Sequence, residues 1–144
     1  MLNELLAFEL GVDLKHYVLN CFLEAEELLS NFSETKQGLI VNDAKRYIEQ
    51  NYMDNTLSLS KIANALFVNS SYLSHLFKQE SGSNLSDYLT RVRLDKAKRL
   101  LDDNQAQYSL SSIAGMVGYK DEYYFNKCFK KLYGISPKKY VEHK

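Results

Sequence analysis

One pattern occurs twice in this chain, and the repeat limits the fold more than any other feature. Ser58-Leu59-Ser60-Lys61-Ile62-Ala63 returns as Ser109-Leu110-Ser111-Ser112-Ile113-Ala114. Phe77-Lys78-Gln79-Glu80-Ser81-Gly82 returns as Phe129-Lys130-Lys131-Leu132-Tyr133-Gly134, and Tyr88 follows the first copy where Tyr140 follows the second. The offset is 51 residues at the front and 52 at the back, so the second copy holds one extra residue near its turn. Each copy opens on a hydroxyl suited to capping, runs through apolar residues at helical spacing and closes on glycine. Two helices joined by a short turn form a helix-turn-helix, whose second helix can enter the DNA major groove. The plainer reading is a duplicated helical hairpin with no nucleic-acid role.

The second copy is the more legible. Ile113, Ala114, Met116 and Val117 give its first helix an apolar face, and Gly118 supplies the turn. Tyr124, Phe125, Cys128, Phe129 and Leu132 then recur at helical spacing. Ser136 and Pro137, the only proline, form an N-cap and first-turn pair that opens a final helix. In the first copy, Ser58 or Ser60 caps one helix and Asn69 or Ser70 the next, which runs over about 70–80 with Leu73, Leu76 and Phe77 inward.

Between the copies lies the longest uninterrupted periodic run, residues 85–101. A helix of ~18 residues is ~27 Å long, whereas successive major-groove segments on one face of DNA lie ~34 Å apart. Two reading heads on such a helix fall slightly short of that spacing. The DNA would have to bend, at a cost of about 1–6 kcal/mol, or one head would seat poorly. Arg91, Arg93, Lys96, Lys98 and Arg99 decorate this helix, as a solvated face or as phosphate contacts.

Upstream, residues 14–29 form an amphipathic helix with Leu14, Tyr17, Val18, Cys21, Phe22, Ala25, Leu28 and Leu29 on one side. A heptad reading through Leu14, Val18, Cys21, Ala25, Leu28 and Phe32 also fits, over fewer than three heptads. Leu2, Leu5 and Leu6 carry helical spacing, 11–13 reads as a break, and 31–38 as a linker. The expected division is therefore 1–38, an acidic helical extension and linker serving an interaction or left from an upstream domain, and 39–144, a double helix-turn-helix domain. The helix that opens the second unit is expected to end near Tyr52.

Charge follows the same division. Residues 1–40 hold two bases against seven acids, a net −5, and the remainder holds 16 bases against 11 acids, a net +5. A chain neutral overall can therefore present a basic surface, provided that its cations share a face. The −5 segment could also mask that surface. No apolar run nears the ~20 residues needed to cross a bilayer. The acidic N-terminus is not a secretory signal. Cys21 and Cys128 show no metal spacing and read as reduced packing residues of a cytoplasmic protein. His16, His75 and His143 lie far apart, and no nucleophile elbow, phosphate loop or dinucleotide fingerprint is present. No enzyme, metal or cofactor is expected.

Taken together, these residues make the chain resemble the DNA-binding domain of the AraC/XylS family of bacterial transcription regulators, possibly of the YesN response-regulator kind. The resemblance covers about 41–144 and rests on the SLSKIA entry, 71–78 through Gly82, Arg93-Leu94 with Ala97 and Leu100-Leu101, 113–119, Tyr124-Phe125, Phe129-Lys130-Lys131, Gly134, and Ser136-Pro137 with Tyr140. It implies an all-α, seven-helix domain with two helix-turn-helix subdomains on a long central helix, each inserting a recognition helix into adjacent major grooves. Carried over by position, the base-reading residues are Asn69, Ser70, Ser71, Ser74, His75, Glu122, Tyr123, Asn126 and Lys127. The phosphate candidates are Lys78, Lys130, Lys131, Ser60 and Ser111. The implied partners are double-stranded DNA, RNA polymerase if the protein activates, and a second copy or an upstream sensory domain through residues 1–32. One departure stands out: Phe67-Val68 occupies the first turn, where the family often has glycine. The alternative function is a helical interaction module that has lost DNA binding.

Overall fold

The computed structural model describes residues 2–103 and 108–143, and within them the side chains of 14–31, 35–103 and 108–143. Among the described residues every regular element is a helix: α1 Leu2–Asn51, α2 Leu59–Ala65, α3 Ser70–Ser81, α4 Leu85–Asp102, α5 Leu110–Met116, α6 Glu122–Tyr133 and α7 Pro137–Glu142. The chain divides into two compact units, Met1–Leu39 and Ile40–Lys144.

In the first unit two expectations need correction, because 11–13 and 31–38 are helical parts of α1. Neither stretch contains proline, and polar residues without periodicity are compatible with a helix that has no core to face. Thr35 turns its hydroxyl back on its own helix, donating from Oγ1 to the Asn31 carbonyl at 2.8 Å. Gly38 costs about 1 kcal/mol relative to alanine, which a long helix absorbs. Cys21 is exposed, contrary to its expected packing role. Leu2, Leu5, Leu6 and Phe32 lie outside the described side chains.

In the second unit both copies of the repeat use the same devices. Ser58 Oγ accepts from the Lys61 N–H and Ser109 Oγ from the Ser112 N–H. Asn69 Oδ1 accepts from Ser71 and Tyr72, and the Asp121 carboxylate from Tyr123 and Tyr124. Each satisfies backbone donors that a helix start leaves unpaired. The turn bonds Val68 N–H to Ala63 O and Tyr119 N–H to Ala114 O keep the offset of 51, whereas the N-caps Asn69 and Asp121 differ by 52. The extra residue therefore falls between Tyr119 and Asp121, at Lys120.

Two cores result. Val41, Ala44, Ile48, Ile62, Leu73, Leu76 and Phe77 form the first, and Ile113, Val117, Tyr119, Phe125 and Phe129 the second. Helix α4 supplies Leu85 and Leu89 to one and Leu94, Ala97 and Leu101 to the other. Met116, expected inward, is exposed, as is Ala65 at the equivalent position of the first copy. Tyr124 is also outward, 58% exposed, so the apolar stripe of α6 is narrower than its sequence implies.

The two turns differ in an instructive way. Gly118 has φ 88°, and a Cβ there would lie 2.3 Å from the Tyr52 carbonyl oxygen. Phe67 holds the equivalent left-handed position at φ 54° with its ring 97% exposed. A bulky residue in that region is strained by about 1–2 kcal/mol, and this ring recovers nothing by burial. Gly118→Ala is therefore expected to destabilise the domain by at least about 2 kcal/mol. Phe67→Gly should leave stability unchanged or raised by up to about 1 kcal/mol, where a core phenylalanine would cost several. Thermal denaturation of both variants checks the contrast.

Candidate nucleic-acid interface

The repeat places α3 and α6, each of 12 residues, in equivalent settings. Both begin at a side-chain cap, bury an aromatic or leucine stripe and end on a left-handed glycine. With the offset of 52, Ser70 corresponds to Glu122, Ser71 to Tyr123, Ser74 to Asn126, His75 to Lys127 and Lys78 to Lys130. Ser71, His75, Lys78, Tyr123, Lys127 and Lys130 are exposed, while Ser70, Ser74, Glu122 and Asn126 are half-buried. Each helix therefore presents the same band of positions away from its core. The two bands differ in chemistry: hydroxyls and imidazole on α3, phenol, amide and ammonium on α6.

Some of these groups are already engaged. Asn69 Oδ1 is committed to two backbone donors, so only its amide nitrogen remains to meet a base. Asn126 Oδ1 is buried with no hydrogen-bond partner among the described residues, an acceptor left unsatisfied in the free chain. Lys78 and Lys130 stand in the last turns of their helices, where a cation also complements the helix dipole. Lys131 is exposed beside Lys130, and Ser60 and Ser111 are exposed at matching places on α2 and α5.

The cations of α4 divide by role. Arg93 donates from Nε to Tyr52 O and from Nη2 to Asp54 O, both at 2.8 Å. Lys96 lies 5.6 Å from the centre of the Tyr52 ring, and Lys98 lies 5.3 Å and 5.7 Å from those of Tyr133 and Tyr140. These three hold the fold together. Arg91 instead lines an open cleft of about 610 Å³ with Lys45 and Lys131, next to Tyr88 and Tyr124.

Tyr72 and Tyr124, which sequence reasoning did not single out as functional, sit 52 residues apart at the third position of their helices, 44% and 58% exposed. Their recurrence in both copies was the available signal, hidden because tyrosine at helical spacing reads as core.

Phenol–carboxylate bonds fix α6 and α7 to the central helix. Tyr133 donates to Asp95 at 2.6 Å and Tyr140 to Asp102 at 2.8 Å. Tyr88, on α4 itself, donates to Glu49 of α1 at 3.2 Å. Burial and then Asp95 push the Tyr133 phenol well above its ordinary range, while the Asp102 hydrogen bond leads the rise for Tyr140. Burial, more than Glu49, raises Tyr88, and burial also raises Tyr119. A phenol whose pKa is raised by folding adds stability that is complete below its unfolded value of about 10 and is lost as pH climbs through the folded value. Stability should therefore hold to about pH 10 and then fall steeply. Tyr133→Phe should cost about 1 kcal/mol at neutral pH and flatten the alkaline fall. Denaturant unfolding from neutral to alkaline pH measures both.

Comparison with known proteins places this geometry in context. Residues 62–143 match the family described as a helix-turn-helix domain. The raffinose operon transcriptional regulatory protein of Pediococcus pentosaceus is 37% identical over 99 residues, which is 69% of this chain and 35% of that protein. The C-terminal domain of AraT, a response regulator from Geobacillus stearothermophilus, superposes with a TM-score of 0.69 at 36% identity, covering 73% of this chain and 85% of that one. The C-terminal domain of the two-component response regulator yesN from Fusobacterium nucleatum gives 0.64 at 38% identity, over 74% of this chain and 98% of that one. The chain spans between a third and a half of the length of the first curated relatives it matches.

Proposed function

The chain belongs to the AraC/XylS family of helix-turn-helix transcription regulators, and on that footing we propose that it reads one asymmetric DNA site with two heads. The observation that carries this reading is the matched outward band on α3 and α6, repeated at one offset on a shared central helix. Helix α3 offers Ser70, Ser71, Ser74 and His75 to base edges, with Asn69 donating from its amide. Helix α6 offers Glu122, Tyr123, Asn126 and Lys127. Asparagine pairs with adenine, lysine or histidine with guanine, glutamate with cytosine, and serine with several bases. Lys78, Lys130, Lys131, Ser60 and Ser111 take phosphates, which position the protein without reading sequence.

The protein acts as a cytoplasmic regulator and carries out no catalysis. An activating role would bring RNA polymerase as a further partner. Residues 1–32 serve an interaction, with a second copy or with an upstream sensory domain. Helix α4, at 18 residues, spans ~27 Å against the ~34 Å between groove segments, so seating both heads favours bent DNA.

Selection from random duplex DNA at low and moderate salt tests the proposal. The expected product is a motif of two unlike blocks about one helical turn apart. Lys78→Gln and Lys130→Gln should each weaken binding evenly across sequences and lower the salt slope by about 1. Lys127→Ala should relax preference at a single position of the second block, costing about 1–3 kcal/mol. No enrichment from folded protein at either salt would transfer the assignment to a helical protein-interaction module.

A further inference from the structure

The open cleft of about 610 Å³ draws its walls from both copies of the repeat and from the helix between them. Lys45 comes from α1, Ser81 from the end of α3, Arg91 from α4, and Tyr124 and Lys131 from α6. Lys45, Arg91 and Lys131 are set against a single acid, Asp87, so the lining carries a net +2. The Asp87 carboxylate already accepts from the Asn84 amide at 2.7 Å. Arg91 and Lys131 form no ion pair with any described residue. Cations gathered around a hollow without counter-ions repel one another, and an anion between them relieves that cost.

The chemistry of the walls narrows the anion. We propose that this cleft binds a small phosphate monoester carrying a planar ring, of which a nucleoside monophosphate is the simplest biological form. Such an ester carries about −2 at neutral pH, which matches the net charge of the lining. A guanidinium fork suits two phosphate oxygens, and an ammonium adds a point charge. Ser81 Oγ is buried on the wall with no hydrogen-bond partner among the described residues, a polar atom still to be satisfied.

The size and one ring speak for more than a bare phosphate. Sites for small organic ligands run from about 300 to 1,000 Å³, and this cleft falls within that range. Its two tyrosines differ in what they can offer. Tyr88 is engaged, its ring edge-on to Phe77 at 5.5 Å and its phenol donating to Glu49. Tyr124 is 58% exposed and leaves a face of its ring open to stacking. Lys131 is shared with the phosphate contacts proposed above, but the site stands on the cleft alone and is tested without DNA.

Isothermal titration of the full chain with adenosine, guanosine, cytidine and uridine monophosphates, with the matching nucleosides and with inorganic phosphate, tests the site. The best monophosphate should bind in the sub-millimolar range, about tenfold tighter than inorganic phosphate, and its nucleoside should give no measurable heat. Arg91 is exposed, so Arg91→Gln should keep the helical circular-dichroism signal while weakening the monophosphate about tenfold or more. Tyr124→Leu should lower the monophosphate to the level of inorganic phosphate and leave inorganic phosphate unchanged. Lys138→Gln removes an equal charge from α7 and should change neither. A second readout locates the ligand: in Cys21→Ser, saturating monophosphate should slow alkylation of Cys128, which lines the cleft. No binding of any phosphate compound to folded protein would overturn the proposal and leave these cations to the DNA backbone. Equal affinity for inorganic phosphate and every monophosphate, unprotected Cys128, or a loss with Lys138→Gln as large as with Arg91→Gln would also overturn it. None of these results touches the DNA reading, which fails only if site selection fails.

Discussion

A single guanidinium joins the two halves of the repeat. Arg93 sits midway along α4, its Nε and Nη2 bonded to the carbonyls of Tyr52 and Asp54 just beyond the end of α1. Carbonyls at a helix end lack intrahelical partners, and a planar fork of donors is well suited to gathering them. The same group lies 5.6 Å from the centre of the Tyr119 ring, and Gly118 exposes its backbone to it. The first half's loop, the central helix and the second half's turn therefore meet at one charge. Burial pulls its pKa below the usual arginine value, yet a guanidinium remains protonated at any physiological pH. The loop is braced from its other side, where the hydroxyl and N–H of Thr56 and the Lys61 ammonium hold the Asp54 carboxyl at about 2.

That junction explains why α4 can serve two cores. A helix with one apolar stripe normally faces one layer, but here Leu85 and Leu89 point into the first core and Leu94, Ala97 and Leu101 into the second. Because α4 supplies buried residues to both, neither half can change its core without disturbing the other. Tyr133–Asp95 and Tyr140–Asp102 then clamp α6 and α7 to the same helix. Rigidity of this kind preserves the spacing of α3 and α6, and on the proposed reading it shifts the cost of an imperfect fit onto the DNA.

Much of this was legible in the sequence because the signals are local. The caps Ser58, Asn69, Ser109, Asp121 and Ser136 act on donors two or three residues away. The stripes of Leu73, Leu76 and Phe77 and of Phe125 and Phe129 keep helical period. What was not legible depends on partners distant in sequence. Arg93, Lys96 and Lys98 read as a solvated or phosphate-binding face, yet their partners lie 35 to 44 residues away, at Tyr52, Asp54, Tyr133 and Tyr140. The helical state of 31–38 was missed for the opposite reason: polar residues without a period can still be helical. On the candidate interface, sequence indicated which band of each helix faces out, but not that Asn69 spends its carbonyl on the cap or that Asn126 Oδ1 is buried without a partner.

The divergence between the halves carries its own meaning. Positions that build the scaffold are conserved between the copies in kind: hydroxyl cap, buried phenylalanine, terminal lysine and glycine. Positions in the outward band share almost nothing, with serine facing tyrosine, serine facing asparagine and histidine facing lysine. Phe67 against Gly118 and the inserted Lys120 add a difference in turn geometry. Duplication without later specialisation would leave two interchangeable heads and a symmetric site. Heads this unlike, fixed at one separation by α4, would give the site a direction.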